Sequence, residues 1–310
     1  MGNFWKKPAS SQPFAQEVVN ADSVYPYVQG IEPGLHGNYL NARYRVERIL
    51  AILLLVPVIP IIFLIGCIVR VTSRGPAIYK QTRTGLLGQD FHMYKIRTMV
   101  ADAEGASGPT WCAESDPRIT TIGRFLRFLH LDELPQLLNI AMGQMSFIGP
   151  RPERPAFVRV LRERIAGYDE RLMVKPGITG LAQIFLPADQ TLKCVQKKIK
   201  MDRAYIQTAS FSVDLKIILC TMLRMIGLRH GKGPKVTGLS LKYADAIKEC
   251  HRLDENNFDP ISIADIRLDP AEEAADECYM EPRPMSPVFI GMNNDETFEK
   301  SIGDTPNKPR

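Results

Sequence analysis

The sequence predicts an α+β fold: a mostly helical, compact domain with one small β-hairpin, anchored by a re-entrant membrane helix and by interfacial amphipathic helices. Three observations lead there. Residues 49–69 are apolar without a single charge, a run long enough to span the hydrocarbon core of a bilayer. Residues 77–83 and 91–98 read as strands, with Gly85-Leu86-Leu87-Gly88 between them as a turn. Four later stretches repeat apolar residues at helical spacing.

In chain order, residues 1–42 mix Pro, Gly, Ser, Asn and Gln without periodicity and read as a flexible arm. Residues 43–72 form the membrane segment. Pro57 and Pro60 stand at its centre, where each removes a helical hydrogen bond and crowds the preceding turn. Arg43, Arg45 and Arg48 precede the apolar run; Arg70, Arg74 and Lys80 follow it. Basic flanks belong on the cytoplasmic side, and a straight span satisfies that rule at one end only. A segment that enters, breaks at the prolines and returns satisfies it at both; an ordinary kinked span is the alternative.

A domain over residues 73–235 follows: the hairpin, a loop around 105–111, then helices over 123–141, 156–173, 191–208 and 213–228. The last of these lines up Leu215, Ile218, Leu219, Met222, Met225 and Ile226, which suits either a core helix or one lying in the membrane interface. Residues 236–310, acidic and interrupted by Pro260, Pro270, Pro282, Pro284 and Pro287, read as a largely disordered tail.

The net charge of +5 conceals an asymmetry. Residues 243–310 hold 16 Asp or Glu against 7 Lys or Arg, which leaves 18 acids and 32 bases in residues 1–242. So basic a body suits anionic partners: lipid headgroups, phosphorylated substrates or nucleic acid. The six cysteines are scattered, with no CxxC and no Cys/His cluster, against both a zinc site and a disulfide framework. A reducing compartment fits, and Lys6-Lys7 is followed by polar, proline-bearing sequence that makes no cleavable signal.

Four motifs carry chemistry. Leu131-Asp132-Glu133-Leu134-Pro135-Gln136 sets two adjacent carboxylates ahead of a proline, a helix-start signature. Either acid could simply cap a helix. Alternatively one is a nucleophile toward phosphorus and its neighbour holds a metal or manages protons. In Lys95-Ile96-Arg97-Thr98-Met99 the two cations share a strand face and could clamp a pyrophosphate, or form a solvated face. Pro150 and Pro152 fix the backbone on either side of Arg151, whose planar fork suits phosphate oxygens. Lys175-Pro176-Gly177-Ile178-Thr179-Gly180-Leu181-Ala182-Gln183 is a turn whose glycines permit close backbone approach to a ligand.

In this order, behind a base-flanked apolar segment, the four motifs resemble the bacterial sugar transferase family, monotopic polyprenyl-phosphate hexose-1-phosphate transferases, over about residues 43–228. The resemblance implies a two-step phosphoglycosyl transfer at the cytoplasmic face of a bacterial inner membrane. Asp132 would attack the sugar-linked phosphate of a nucleotide sugar, a UDP-sugar by preference, and release the nucleoside monophosphate. Polyprenyl (undecaprenyl) phosphate would then take the phosphosugar, initiating exopolysaccharide, O-antigen or capsule assembly. Glu133 matches the acid implicated in binding Mg2+. Lys95, Arg127 and Arg151 match basic positions near the phosphates, and Asp202 and Asp214 match acids of the last helical region. The implied partners are the nucleotide sugar, polyprenyl phosphate and membrane lipids; homo-oligomerisation is allowed. The family usually carries serine where Val56 precedes Pro57, and commonly tryptophan where Leu181 stands.

Two other classes compete. A nucleic-acid-binding protein explains the charge but neither the apolar run nor the acid pair, and no binding motif is present. A non-catalytic membrane scaffold of a glycan assembly complex needs no Asp132-Glu133.

Overall fold

Helix α1 (Gly37–Thr72) opens the computed structural model, which describes residues 37–101, 103, 116–187, 191–228 and 232–255. Helix therefore begins inside the expected N-terminal arm, of which residues 1–36 lie outside the described residues. The helical backbone runs on through Pro57 and Pro60 without a non-helical residue between its halves. Its 36 residues measure roughly 54 Å along the axis at the usual rise. Ala51, Leu55, Ile65 and Val69 are buried, with Val58 and Ile62 half-buried, so a stripe at three- and four-residue spacing faces the rest of the protein. Ile52, Leu53, Val56, Ile59, Phe63 and Leu64 remain exposed. The stretch Asn38–Thr72 is long and apolar enough to cross a membrane, with a mean hydropathy of 3.1 over its most apolar window.

Strands β1 (Ile78–Thr84) and β2 (Asp90–Ile96) form the expected antiparallel hairpin, from Ile78 opposite Ile96 to Thr84 opposite Asp90. The loop around 105–111 lies outside the described residues. The helix expected over 123–141 is divided into α2 (Thr121–Phe128) and α3 (Gln136–Ala141). Between them His130 takes a left-handed φ of 56°, a 3-10 turn covers Leu131–Glu133, and Pro135 precedes α3. Pro135 suits the start of α3 and crowds only the turn before it, so the earlier stop at Phe128 goes with the left-handed His130.

Strand β3 (Ser146–Ile148) pairs in parallel with β4 (Gly177–Thr179), and α4 (Pro155–Arg164) and a 3-10 turn (Tyr168–Met173) lie between them in the chain. Then come α5 (Leu181–Phe185), α6 (Leu192–Thr208), α7 (Phe211–Met225), α8 (Lys232–Val236), α9 (Leu239–Lys242) and α10 (Ala244–Glu255).

The core has separate parts that fix α1 to the domain. Phe91, Met93, Leu137, Ile140 and Met145 close on Ala51 and Leu55. Ile96 and Leu126 close on Ile65 and Val69. A further cluster joins Ile148, Leu181, Met201, Tyr205 and Ile217 to Leu239, Tyr243 and Cys250. Residues 236–255 are therefore not the unstructured start of a tail. Leu239, Tyr243, Ile247 and Cys250 recur at spacings of four, four and three, an apolar stripe that packs against the domain. The Tyr243 hydroxyl also meets Thr208 Oγ1 at 2.6 Å, and Lys200 pairs with Glu249 at 2.9 Å. Truncation after Glu255 should leave the melting temperature unchanged and turnover within a few-fold of the full chain. Truncation after Thr237 removes the buried Leu239 and Tyr243 side chains and should lower Tm by several degrees, a difference that thermal unfolding in detergent measures.

Candidate active site

The acid pair sits at the break between α2 and α3, where the 3-10 turn presents Asp132 and Glu133 beside the end of β2. Glu133 Oε1 accepts from Lys95 Nζ at 3.0 Å and from Arg151 Nη2 at 2.8 Å. Burial would raise its pKa, but the Arg151 and Lys95 cations outweigh that and hold the carboxyl well below the usual carboxylate range. Glu133 is thus an ionised anchor between two cations.

Asp132 differs. It is 7% exposed, yet among the described residues its carboxylate has neither a hydrogen bond nor an ion pair. Burial and the neighbouring Glu133 charge push its pKa up, while Lys95, Arg127 and Arg151 pull it down. The pair is asymmetric: one acid is held by partners, the other is left open in a field of three cations.

Each cation has its own support. Lys95 stands on β2, where burial depresses its pKa against the pull of Glu133. Arg127, on α2, donates from Nε to Thr98 Oγ1 at 2.8 Å. Arg151 leaves a rigid Pro-Arg-Pro loop, with its side chain 38% exposed against 12% for Glu133. It can therefore meet Glu133 and a ligand at once. Pro150 is buried, and its carbonyl accepts from Gly177 N at 2.9 Å.

Two expected site residues are placed elsewhere. Arg97 lies one residue past the end of β2, and its side chain does not join Lys95 at Glu133. Its Nη2 donates to the Ser73 carbonyl at 2.8 Å and to Ser73 Oγ at 2.7 Å, just beyond α1. Asp214, on the buried face of α7, accepts from Tyr39 at 2.5 Å, Arg43 at 2.7 Å and Tyr205 at 2.8 Å. A buried carboxylate needs such partners, and Arg43 from α1 supplies the opposite charge. Asp202 has a different cation from Asp214, Arg171 at 3.0 Å.

The glycines of the last motif approach backbone, not an open site. Gly149 N donates to Thr179 O at 2.9 Å, and Ser146 N to Pro176 O at 2.9 Å. A Cβ on Gly149 would lie 2.3 Å from Lys175 O, and one on Gly177 only 2.1 Å from Gly149 N. The third and fourth motifs are therefore one packed unit, and Leu181, 1% exposed, belongs to its core. Arg43, Arg83 and Arg171 were not singled out as site residues from the sequence. Their partners are distant in the chain, so no local spacing marks them.

The sequence profile of the bacterial sugar transferase family matches residues 40–227, from the start of α1 to the end of α7. The chain belongs to the bacterial sugar transferase family. Curated relatives agree with that membership. A Klebsiella pneumoniae UDP-glucose:undecaprenyl-phosphate glucose-1-phosphate transferase is 38% identical over 201 residues, 64% of this chain and 43% of its own. One of the same description from Caulobacter vibrioides is 39% identical over 186 residues, 59% of this chain and 69% of its own. A UDP-N-acetylgalactosamine-undecaprenyl-phosphate N-acetylgalactosaminephosphotransferase from Aeromonas hydrophila is 35% identical over 175 residues, 56% and 41% of the two chains. The matched part of this chain thus spans about two-fifths of the Klebsiella relative's length.

Proposed function

We propose that this chain transfers a sugar-1-phosphate from a UDP-sugar to undecaprenyl phosphate through a phosphosugar carried on Asp132, initiating glycan assembly at the cytoplasmic face of a bacterial inner membrane. The observation that carries the reading is the asymmetry of the acid pair: Glu133 absorbs the two nearest cations, and Asp132 is left unpartnered beside them. In the first step an Asp132 oxygen bonds to the sugar-linked phosphorus, and the bond to the UMP oxygen breaks. In the second, a phosphate oxygen of the lipid attacks the same phosphorus and the aspartyl bond breaks, restoring the carboxylate. Lys95, Arg127 and Arg151 stabilise charge on the phosphoryl oxygens, and Arg151 binds the pyrophosphate while Glu133 fixes its orientation. Relatives act on UDP-glucose and on UDP-N-acetylgalactosamine, so both belong in the assay. Labelled UDP-sugar and undecaprenyl phosphate should give labelled extractable lipid and one UMP per transfer. No label from any UDP-hexose in a broad panel would favour the scaffold reading.

Magnesium fits these residues as a partly substrate-held ion. Among the described residues no three His, Cys, Asp or Glu side chains gather, and Glu133 Oε1 is committed to Lys95 and Arg151. Magnesium commonly takes one or two carboxylates together with waters and substrate phosphates, which Glu133 with the adjacent Asp132 can offer. Bound there, the ion would offset charge on the transferring phosphoryl group. EDTA should abolish turnover and added Mg2+ restore it. Full activity after exhaustive chelation would remove the metal from the scheme.

For the membrane segment the reading is monotopic, with both flanks on the domain's side. Arg43 bonds Asp214 near one end of α1, and Arg97 bonds Ser73 just past the other, so a single domain grips both ends of the apolar run. The exposed Leu215, Ile218, Leu219 and Met222 of α7, with Phe125 and Phe128 of α2, suit contact with the membrane interface. Single cysteines at residues 41 and 74, in a cysteine-free background, should both escape an impermeant maleimide in intact cells and react after lysis. Reaction at residue 41 alone before lysis would establish a span.

A further inference from the structure

Arg171 and Asp202 take no part in the chemistry above, yet they form one of the most deeply buried ion pairs of the domain. Arg171 is 4% exposed and Asp202 2%. Arg171 Nε and Nη2 lie 3.1 and 3.0 Å from Asp202 Oδ2, and Nη1 donates to the Tyr168 hydroxyl at 3.2 Å. The remaining bond of this guanidinium is the informative one: Nη2 donates to the main-chain oxygen of Arg151 at 2.9 Å. One residue further along, Arg83 Nη1 donates to the Pro152 oxygen at 2.9 Å and lies 3.6 Å from the Glu153 carboxylate. Lys198, from the same helix as Asp202, reaches Glu153 at 3.8 Å.

We infer that Arg171, held by Asp202, is a positioning residue that sets the direction of the Arg151 side chain through its main chain. A proline on each side limits the rotations available to the loop, and a fixed carbonyl at Arg151 removes much of the freedom that remains. The guanidinium of Arg151 then meets Glu133 and the substrate phosphate without a search. Burying an Arg–Asp pair is a weak route to stability, because desolvation offsets the attraction. Conformational definition of a loop that carries a functional side chain gives the pair a purpose. Asp202 in turn keeps the Arg171 fork in one orientation, since it engages Nε and Nη2 together.

The inference rests on Arg151 contacting substrate phosphate, and a double-mutant cycle separates the two. Arg151→Lys alone tests the contact; it should reduce kcat/KM for the UDP-sugar substantially, and wild-type kinetics would refute that reading first. Asp202→Asn, which keeps the shape while releasing Arg171, should lower kcat/KM about tenfold, in keeping with the sensitivity of transfer to small misplacements. Arg171→Lys should do the same. In the Arg151→Lys background either change should add no more than about twofold, because the group being positioned is already gone. A purely structural pair would lower Tm and activity by the same factor in both backgrounds. Equal factors, or an Asp202→Asn enzyme with unaltered kcat/KM, would overturn the inference.

Discussion

Asp132→Asn is expected to abolish transfer of label from UDP-sugar to lipid, with residual turnover down by at least about three orders of magnitude, since the other carboxylate of the turn, Glu133, is held by Lys95 and Arg151. The substitution is nearly isosteric, and the carboxylate has no protein partner among the described residues, so the fold should not notice it. Removing one negative charge beside Glu133 should if anything relieve the pair. Unchanged Tm with lost activity is therefore the expected combination. Asp132→Glu should also be poorly active, because a longer arm moves the attacking oxygen by about an ångström or more in a site where such a shift costs about a hundredfold. Near-wild-type turnover by purified Asp132→Asn would sink the assignment of the nucleophile.

Arg43→Ala is expected to give the largest loss of stability. Its guanidinium is buried where α1 meets the domain, bonding Asp214, Tyr205, Ser146 Oγ and the Ile148 carbonyl, with Glu47 at 3.4 Å on its own helix. Truncation leaves two buried carboxylates, Asp214 and Glu47, without their cation. Removing one partner of such a pair costs about 3–5 kcal/mol. For a domain of this size that corresponds to roughly 6–20 °C in Tm, readable by thermal unfolding in detergent or nanodiscs. Asp214→Asn should lose less, because the amide oxygen still accepts from Tyr39 or Arg43. A melting temperature within a degree of wild type for Arg43→Ala would mean that α1 is held by its apolar stripe alone.

Local signals accounted for the elements whose cause is local. The hairpin followed from alternation and a glycine-bearing turn, and the apolar helix from its uninterrupted composition. The acid pair was marked by Pro135, although the break into two helices depends on His130 adopting a left-handed backbone that its residue type does not announce. Residues 236–255 misled because composition outweighed period. The apolar stripe Leu239, Tyr243, Ile247 and Cys250 was present, but its burial depends on α6 and α7 offering a surface.

By itself the sequence determined which chemistry is available: two adjacent carboxylates, a rigid arginine between prolines, a lysine on a strand, and a long apolar run with bases at both ends. Those properties are carried by residue type and spacing, and they persist in any fold that keeps the motifs exposed to substrate. Only the tertiary structure decided which charges meet. Lys95 and Arg151, which lie 38 and 18 residues from Glu133, converge on one of its oxygens. Arg97 goes to Ser73, Asp214 to Arg43, and Asp202 to Arg171. The reason is physical: a charged side chain leaving water must find its partner in space, and packing, not sequence distance, determines which one is within reach.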